Sequence, residues 1–273
     1  MLRFKESGAR PPKAAPIISL LTDFGTRDWF AGVLRGVIAQ TCGSQVLDVT
    51  HDIPSGNVPA AAYVLRQSYA YFPRGTVHLA VVDPGVGGPR MPIAIQTRNY
   101  YFVGPDNGLL SWAAGQDGIL QIRGLVNEKF RRHPVSQTFH GRDIFAPAAA
   151  WLSRGEPIAR LGPVVRSIIE LPLPPLRSRR GGGWEGRVVY IDHFGNAITN
   201  IPGSHLQRLA RPMVRLKGFR ATAILGFYQA VRRGKPLGVV GSTGCLEIAV
   251  HQGNAARAFD LKIGDAVEVC DGL

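Results

Sequence analysis

Long hydrophobic runs are absent from this chain of 273 residues. None approaches the eighteen or more apolar residues that a membrane-spanning helix requires, so we predict no transmembrane segment. The first fifteen residues are polar, basic and proline-containing, and they lack the apolar stretch of a secretory signal peptide. We therefore expect residues 1–15 to form a short disordered tail on a cytoplasmic protein.

Cysteine is also scarce. The chain has three cysteines, Cys42, Cys245 and Cys270, which are widely spaced and form no C-x-x-C pair. This pattern argues against a disulfide framework or a zinc site and favours small buried side chains. No H-E-x-x-H or similar histidine cluster occurs either, so we predict no metal and no cofactor.

Acidic residues are few beside basic ones. The chain has 19 Asp and Glu against 32 Lys and Arg, a formal net charge of +13. Such an excess can indicate a nucleic-acid partner. The basic residues are spread along the chain, however, and clusters such as 131–132 and 177–180 are not interleaved with aromatics as in RNA-binding modules. We expect a basic solvated surface and no nucleic-acid partner.

The first half of the chain alternates between strand and helix patterns. Short apolar or β-branched runs at 17–21, 46–49 and 76–82 are typical of strands. Residues 29–38 instead repeat apolar side chains at three- and four-residue spacing, which predicts a helix. This alternation predicts an α/β domain with a mainly parallel sheet over residues 16–170.

The composition changes at residues 171–184, which are rich in proline, arginine and glycine. We interpret this stretch as a linker between two domains. Beyond it the chain consists of short β-like runs with almost no helical periodicity. This pattern predicts a small all-β domain, a barrel or a sandwich, over residues 185–273.

Polar loops follow strands of the predicted sheet, at the ends where open α/β sheets bind ligands. Asp23 directly follows the first strand, and its carboxylate either holds both hydroxyls of a ribose or caps the next helix. The glycine-rich loop 83–90 is either a ligand loop or a tight turn. His140, beside Gly, Arg and Asp, either belongs to a site or forms a helix cap with a salt bridge.

Taken together and in order, five motifs resemble the S-adenosylmethionine hydroxide adenosyltransferase family, relatives of the bacterial fluorinase and chlorinase. They are TDFGT at 22–26, VDPGVG at 82–87, GPDNGLL at 104–110, FHGRD at 139–143 and IDHFGNAITNI at 191–201. Each motif alone is weak, but five in register are specific. The likeness extends from about residue 16 to the C-terminus.

The resemblance implies an N-terminal α/β domain, a C-terminal β-barrel, and a homotrimer. Each site would lie between one chain's N-terminal domain and a neighbour's C-terminal domain. The resemblance places a catalytic triad at Asp83, Arg90 and His140, and a ribose-binding carboxylate at Asp23. The positions implied to contact the methionine and adenine parts are Asp192, Phe194, Asn196, Ser242, Glu247 and the backbone near Ala255.

The implied reaction is hydrolysis of S-adenosylmethionine, in which water or hydroxide attacks C5′ of the ribose and releases adenosine and L-methionine. Methionine leaves as a neutral thioether, so the reaction needs an in-line nucleophile and exclusion of other water rather than a general acid. We expect Asp83 and His140 to accept hydrogen bonds or a proton from the attacking water, and Arg90 to orient Asp83. The sequence leaves the proton acceptor open.

Three alternatives to S-adenosylmethionine hydrolysis are less favoured. A halogenase using chloride or fluoride is disfavoured, because a carboxylate at position 83 would repel an anion in a desolvated site. A nucleosidase or phosphorylase would release adenine instead of adenosine. A non-catalytic module that binds S-adenosylmethionine or nucleic acid would show salt-sensitive binding without turnover.

Differences from the halogenases, and two aromatic residues, bear on the substrate. The halogenases resembled here have a tyrosine and a serine where this chain has Asp83 and Gly141. They also have an arginine where this chain has Thr243, which leaves the methionine carboxylate without an assigned partner. Phe194 is expected to wall the adenine or the reacting centre, whereas core packing is favoured for Trp29.

Overall fold

The computed structural model describes residues 17–180, 182–216, 219–221 and 224–272, with the backbone alone at 219–221. The tail expected over residues 1–15 lies outside the described residues. The chain separates into two compact units, with the boundary between Leu171 and Pro172. Within the described residues, no helix combines the length and the apolar character needed to cross a membrane.

The first unit contains a six-stranded sheet of order β2-β1-β3-β5-β4-β6. Its strands are β1 (Ile17–Thr22), β2 (Gln45–Thr50), β3 (Val77–Val81), β4 (Pro92–Thr97), β5 (Tyr101–Pro105) and β6 (Ile119–Gly124). Strands β2, β1, β3 and β5 pair in parallel, but β4 is antiparallel to both β5 and β6.

The prediction of a mainly parallel sheet is thus only partly right, and the sheet is mixed. The reason lies in the connection between β4 and β5, which consists of residues 98–100 alone. So short a connection makes a hairpin, whereas a parallel crossover needs a dozen or more residues.

Helices cover this sheet and bury it. They are α1 (Phe30–Thr41), α2 (Val58–Ser68), α3 (Ser111–Asp117) and α4 (Ala146–Ser153), the last preceded by a π-helical turn, Gly141–Phe145. Leu34, Val37 and Ile38 of α1 are buried at the predicted helical spacing. Every residue of β3 is buried, as expected for a parallel strand covered on both faces.

The second unit is built mainly of β-strands in a single nine-stranded sheet. The strands are β7 (Arg177–Ser178), β8 (Trp184–Ile191), β9 (Ala197–Pro202), β10 (Pro212–Leu216), β11 (Phe219–Ala221), β12 (Ile224–Leu225), β13 (Pro236–Val240), β14 (Cys245–Val250) and β15 (Ala266–Asp271). The sheet is nearly closed and barrel-like, because β11 contacts β13 near its other end.

Two features of the second unit differ from the sequence expectation. It contains two short helices, α5 (Gly203–Leu206) and α6 (Ala255–Phe259), too short to leave a periodic signal in the sequence. The stretch interpreted as a linker also carries β7, which pairs with β8 beginning at Trp184. The core of this unit comes from inward-facing strand residues such as Val188, Ile248 and Val267.

Candidate functional site

Two strand ends bring candidate carboxylates to one edge of the first unit's sheet. Asp23 directly follows β1, and Asp83 lies two residues after β3, the parallel neighbour of β1. A cavity of about 380 Å³ opens at this edge, where open α/β sheets bind ligands. The cavity is lined by Asp23, Phe24, Phe30, Ser55, Gly56, Val81, Asp83, Pro84, Val86, Thr138, Phe139, His140 and Gly141.

Arg90 links Asp83 to His140. Its Nε lies 3.0 Å from Oδ1 and 3.1 Å from Oδ2 of Asp83, and its Nη2 forms a further ion pair with Oδ2. The same Nη2 lies 2.7 Å from Nδ1 of His140. The side chains of Asp83 and Arg90 are largely buried, so this charge-assisted contact is shielded from water. The structure therefore brings all three residues of the predicted triad together.

The contact with Arg90 determines which nitrogen of His140 carries hydrogen. A guanidinium only donates, so Nδ1 of His140 has to accept, and the neutral ring carries its hydrogen on Nε2. Burial lowers the pKa of His140 below its ordinary value of 6.5, and the nearby Arg90 charge lowers it further. His140 is accordingly neutral at pH 7 and offers Nε2–H as a donor.

Close backbone packing fixes the loops that carry the triad. Gly87 has a φ of +79°, and a Cβ there would lie 2.4 Å from the backbone oxygen of Gln137. Glycine thus allows the 83–90 loop to contact the segment before His140. Asp143, fully buried in the π-helical turn, accepts the backbone N–H of Ser136 at 2.9 Å and pairs with Arg142. The segment before His140 is therefore held from both sides.

Asp23 lines the same cavity as Asp83 and His140. Its Oδ2 accepts the backbone N–H of Gly56 at 2.8 Å, which fixes the carboxylate between two loops. Helix α1 begins at Phe30 with Trp29 in the capping position, so the alternative that Asp23 caps this helix is wrong. Core packing of Trp29 is also wrong, because the side chain is 67% exposed.

The second unit has a cavity of its own, of about 780 Å³. It is lined by Asp192, Phe194, Asn196, Ile198, Tyr228, Ser242, Thr243, Glu247, Val250, Gln252, Gly253 and Asn254. The structure thus gathers five of the six second-domain positions predicted to contact substrate. Ala255 is fully buried at the start of α6, next to the lining residue Asn254.

Two carboxylates give this second cavity its charge. Asp192 accepts the backbone N–H of Asn196 at 2.8 Å and its side-chain amide at 2.9 Å. Glu247 is only 4% exposed, and its Oε2 accepts the hydroxyl of Tyr228 at 2.8 Å. Burial raises the pKa of Glu247, and the Asp192 charge raises it further, against the lowering effect of the Tyr228 hydrogen bond. None of the described lining residues is Lys or Arg, so a cationic or hydrogen-donating ligand suits the cavity.

Sequence reasoning missed Tyr228 and Asn254. Burial and the Glu247 contact raise the pKa of Tyr228 to about 12, so the phenol stays protonated and donates. Asn254 caps α6 by accepting the backbone N–H of Arg257 at 2.7 Å, and it packs so closely that Gly195 has no room for a Cβ. The only sequence signals were an aromatic pair, Phe227 and Tyr228, and a capping asparagine, and both patterns are common in loops.

Comparison with protein-family models assigns both units. The model of the SAM hydroxide adenosyltransferase N-terminal domain matches residues 18–162, and that of the C-terminal domain matches residues 186–268. The chain belongs to the SAM hydroxide adenosyltransferase family. The resemblance drawn from the five motifs is thereby confirmed.

Proteins from other organisms are similar in sequence to nearly the whole chain. The chain is 42% identical to the (R)-S-adenosyl-L-methionine hydrolase of Salinispora tropica, over 94% of this chain and 98% of that protein. It is 38% identical to the protein of the same name from Thermus thermophilus, over 92% and 98%. A more distant likeness, at 25% identity, is to the fluorinase of Actinoplanes sp..

A solved structure shares the fold of this family member. The crystal structure of a conserved protein from Thermotoga maritima superposes with a TM-score of 0.87 at 36% identity, covering 93% of this chain and 99% of that one.

Proposed function

We propose that this protein hydrolyses S-adenosylmethionine to adenosine and L-methionine by attack of water or hydroxide on C5′ of the ribose. One observation carries the proposal: Asp83, Arg90 and His140 form a shielded polar cluster at the edge of a cavity that also contains Asp23. The names of the relatives from Salinispora tropica and Thermus thermophilus support the same substrate and reaction.

The substrate fits the two sets of residues by charge and hydrogen bonding. Asp23 offers two carboxylate oxygens to the ribose hydroxyls. S-adenosylmethionine carries a positive sulfonium and an ammonium group, and the carboxylates of the second cavity complement these charges. We assign the methionine and adenine contacts to Asp192, Phe194, Asn196, Ser242, Glu247 and the backbone near Ala255.

We further propose a homotrimer in which each site combines the first unit of one chain with the second unit of a neighbour. This arrangement is what the family resemblance implies. Phe194 supports it, because 72% exposure of a large aromatic side chain at a cavity is typical of a surface that a partner covers.

The chemical step uses no group beyond these residues and water. The oxygen of water forms a bond to C5′ while the C5′–S bond breaks, and the bonding pair moves to sulfur and neutralises the sulfonium. The one lone pair of His140 Nδ1 is occupied by Arg90, whereas Oδ1 of Asp83 has a single contact with Arg90 and keeps a second lone pair, so we assign the released proton to Asp83. His140 Nε2–H then donates to the attacking oxygen and orients a lone pair toward C5′. Since the leaving group is neutral and the nucleophile is water, we propose no metal and no cofactor.

The same electrostatics disfavour a halide as the nucleophile. Asp83 and Arg90 cancel each other's charge, and His140 is neutral, so the cluster offers no net positive charge to an anion. A halide is therefore disfavoured by the assembled cluster as well as by the Asp83 carboxylate considered alone.

The proposal is tested by incubating the purified protein with S-adenosylmethionine, with and without chloride, and separating the products by liquid chromatography and mass spectrometry. We expect adenosine and methionine at equal rates in both buffers. Asp83→Ala, Arg90→Ala and His140→Ala should each lower kcat by roughly 10²-fold or more, the usual loss when an acid–base or charge-stabilising group is removed. A 5′-chloro product, free adenine, or tight binding without turnover would overturn the proposal.

A further inference from the structure

A chain of polar contacts, buried at Thr22 and His51 and partly exposed at Asp48, lies at the ends of β1 and β2. Oγ1 of Thr22 lies 2.7 Å from Nδ1 of His51, and Nε2 of His51 lies 3.2 Å from Oδ1 of Asp48. Asp48 also forms an ion pair with Arg35 of α1. Thr22 and His51 are both buried, although neither belongs to the cavity lining.

Hydrogen bonds link this chain to the backbone of the loop that carries Asp23. The backbone N–H of Phe24 donates to Oγ1 of Thr22 at 3.2 Å, so the single hydrogen of the Thr22 hydroxyl is available to point to Nδ1 of His51. Nε2 of His51 faces both Oδ1 of Asp48, at 3.2 Å, and Nη2 of Arg35, at 3.3 Å. Asp48 and Arg35 thus orient the imidazole, the imidazole contacts the Thr22 hydroxyl, and the hydroxyl oxygen orients the Phe24 amide.

His51 also contacts the same loop through its backbone. Its carbonyl oxygen accepts the N–H of Gly25 at 2.8 Å. His51 therefore holds the Gly25 amide directly and the Phe24 amide through the Thr22 hydroxyl. The loop that follows His51 supplies Gly56, whose N–H donates to Asp23. The two loops that determine where the Asp23 carboxylate lies therefore meet at His51.

We propose that His51 is a positioning residue that sets the Asp23 carboxylate for the substrate's ribose, acting through the Thr22 hydroxyl. The inference rests on the proposed function, because it takes Asp23 as the ribose contact. The arrangement resembles an orienting carboxylate–imidazole–hydroxyl chain, but the hydroxyl is buried and serves a backbone amide, so its role is geometric and not nucleophilic.

A matched pair of variants isolates the hydroxyl. Thr22→Val keeps the shape of the side chain and removes the hydrogen bonds, whereas Thr22→Ser keeps the hydroxyl. We expect Thr22→Val to raise KM for S-adenosylmethionine about tenfold, the effect of one misplaced hydrogen-bonding group, and to leave kcat within about twofold. Thr22→Ser should stay within about twofold of the parent in both constants.

Dependence on Asp23 separates positioning from a loss of fold. In an Asp23→Ala background, Thr22→Val should raise KM no further, because the group it positions is gone. His51→Asn, which retains a hydrogen-bonding group toward Thr22 but loses the contacts with Asp48 and Arg35, should have a KM between those of the parent and Thr22→Val. The inference would be overturned if Thr22→Val left KM unchanged. It would also be overturned if Thr22→Val raised KM by the same factor in the Asp23→Ala background as in the parent.

Failure of the proposed function gives a different result. If the parent protein releases no adenosine, the hydrolase proposal fails by itself. Calorimetric titration with adenosine then tests the positioning role alone: weaker binding by Thr22→Val than by Thr22→Ser supports it, and equal binding overturns it.

Discussion

At the scale of single residues, two imidazoles of the first unit are kept neutral by different surroundings. His140 is partly buried with a guanidinium against Nδ1, and His78 is fully buried, with Nδ1 2.7 Å from the hydroxyl of Ser19. Aromatic rings of Tyr69 and Phe102, among others, surround His78. Under the proposed mechanism the surroundings of His140 bear on activity, and those of His78 bear on stability, so separate measurements test the two residues.

His140 contributes to the acid limb of the pH–rate profile. Protonation of Nδ1 would place a second donor against Arg90, so kcat/KM should fall as the pH drops through the pKa of His140, which burial and Arg90 hold below 6.5. Steady-state kinetics from pH 4.5 to 8 check this. His133→Gln, at an exposed histidine paired with Glu128, is the control and should leave the profile unchanged. An acid limb at pH 6.5 or above would contradict the assignment.

The stability of the protein at acid pH reports on His78. Burial lowers the pKa of His78 from 6.5 to about 3, so the unfolded chain binds this proton first, and stability falls as the pH drops from 6.5 toward 3. Between pH 7 and 4.5 the contribution to the free energy of unfolding should shrink by about 2–3 kcal/mol. Urea unfolding at the two pH values measures it.

The control for His78 removes both partners of the buried hydrogen bond. Ser19→Ala combined with His78→Phe leaves no unsatisfied polar group and keeps an aromatic ring among its neighbours. Between pH 7 and 4.5 the free energy of unfolding of this double variant should fall by about 2–3 kcal/mol less than that of the parent. An equal fall in the two proteins would show that groups other than His78 cause the loss of stability at acid pH.

At the scale of elements, the triad depends on how closely two loops approach. Gly87→Ala should displace the 83–90 loop, because the new Cβ would meet the Gln137 carbonyl and the φ of Gly87 is positive. We expect kcat to fall about 10²-fold, the cost of a displacement of order 1 Å at reacting groups. Gly75→Ala is the matched control: Gly75 has a φ of +88°, but nothing lies within 4 Å of its added Cβ. Equal kcat in the two variants would refute the role given to the close approach.

Local patterns predicted the parts of the fold that depend on neighbouring residues. The spacing in α1 and the apolar runs of β1 and β3 were sufficient to place Asp23 and Asp83 after parallel strands, since the carboxyl ends of such strands share an edge. The antiparallel β4 was missed because strand direction depends on the length of a turn. Tyr228 was missed because its contact with Glu247 joins residues 19 positions apart. Spacing alone left the roles of Asp23 and His140 undecided, and only the five motifs together favoured one reading.

At the scale of the whole molecule, the candidate residues are divided between a cavity in each unit. If a site combines units from neighbouring chains, as proposed, two inactive variants complement each other. Co-expression of Asp83→Ala chains with Glu247→Ala chains should restore about a quarter of the parent activity. A site is intact only when its first unit comes from a Glu247→Ala chain and its second unit from an Asp83→Ala chain, which is one of four equally frequent pairings. No recovery in verified mixed oligomers would contradict a site shared between chains.

The central claim is that solvent oxygen attacks C5′ of S-adenosylmethionine at the Asp83–Arg90–His140 cluster. The most direct measurement is turnover in ¹⁸O-water, followed by mass spectrometry of the adenosine formed. We expect one ¹⁸O atom in the 5′-hydroxyl of adenosine and none in methionine. Adenosine without the label, or label elsewhere in the products, would contradict attack by water at C5′.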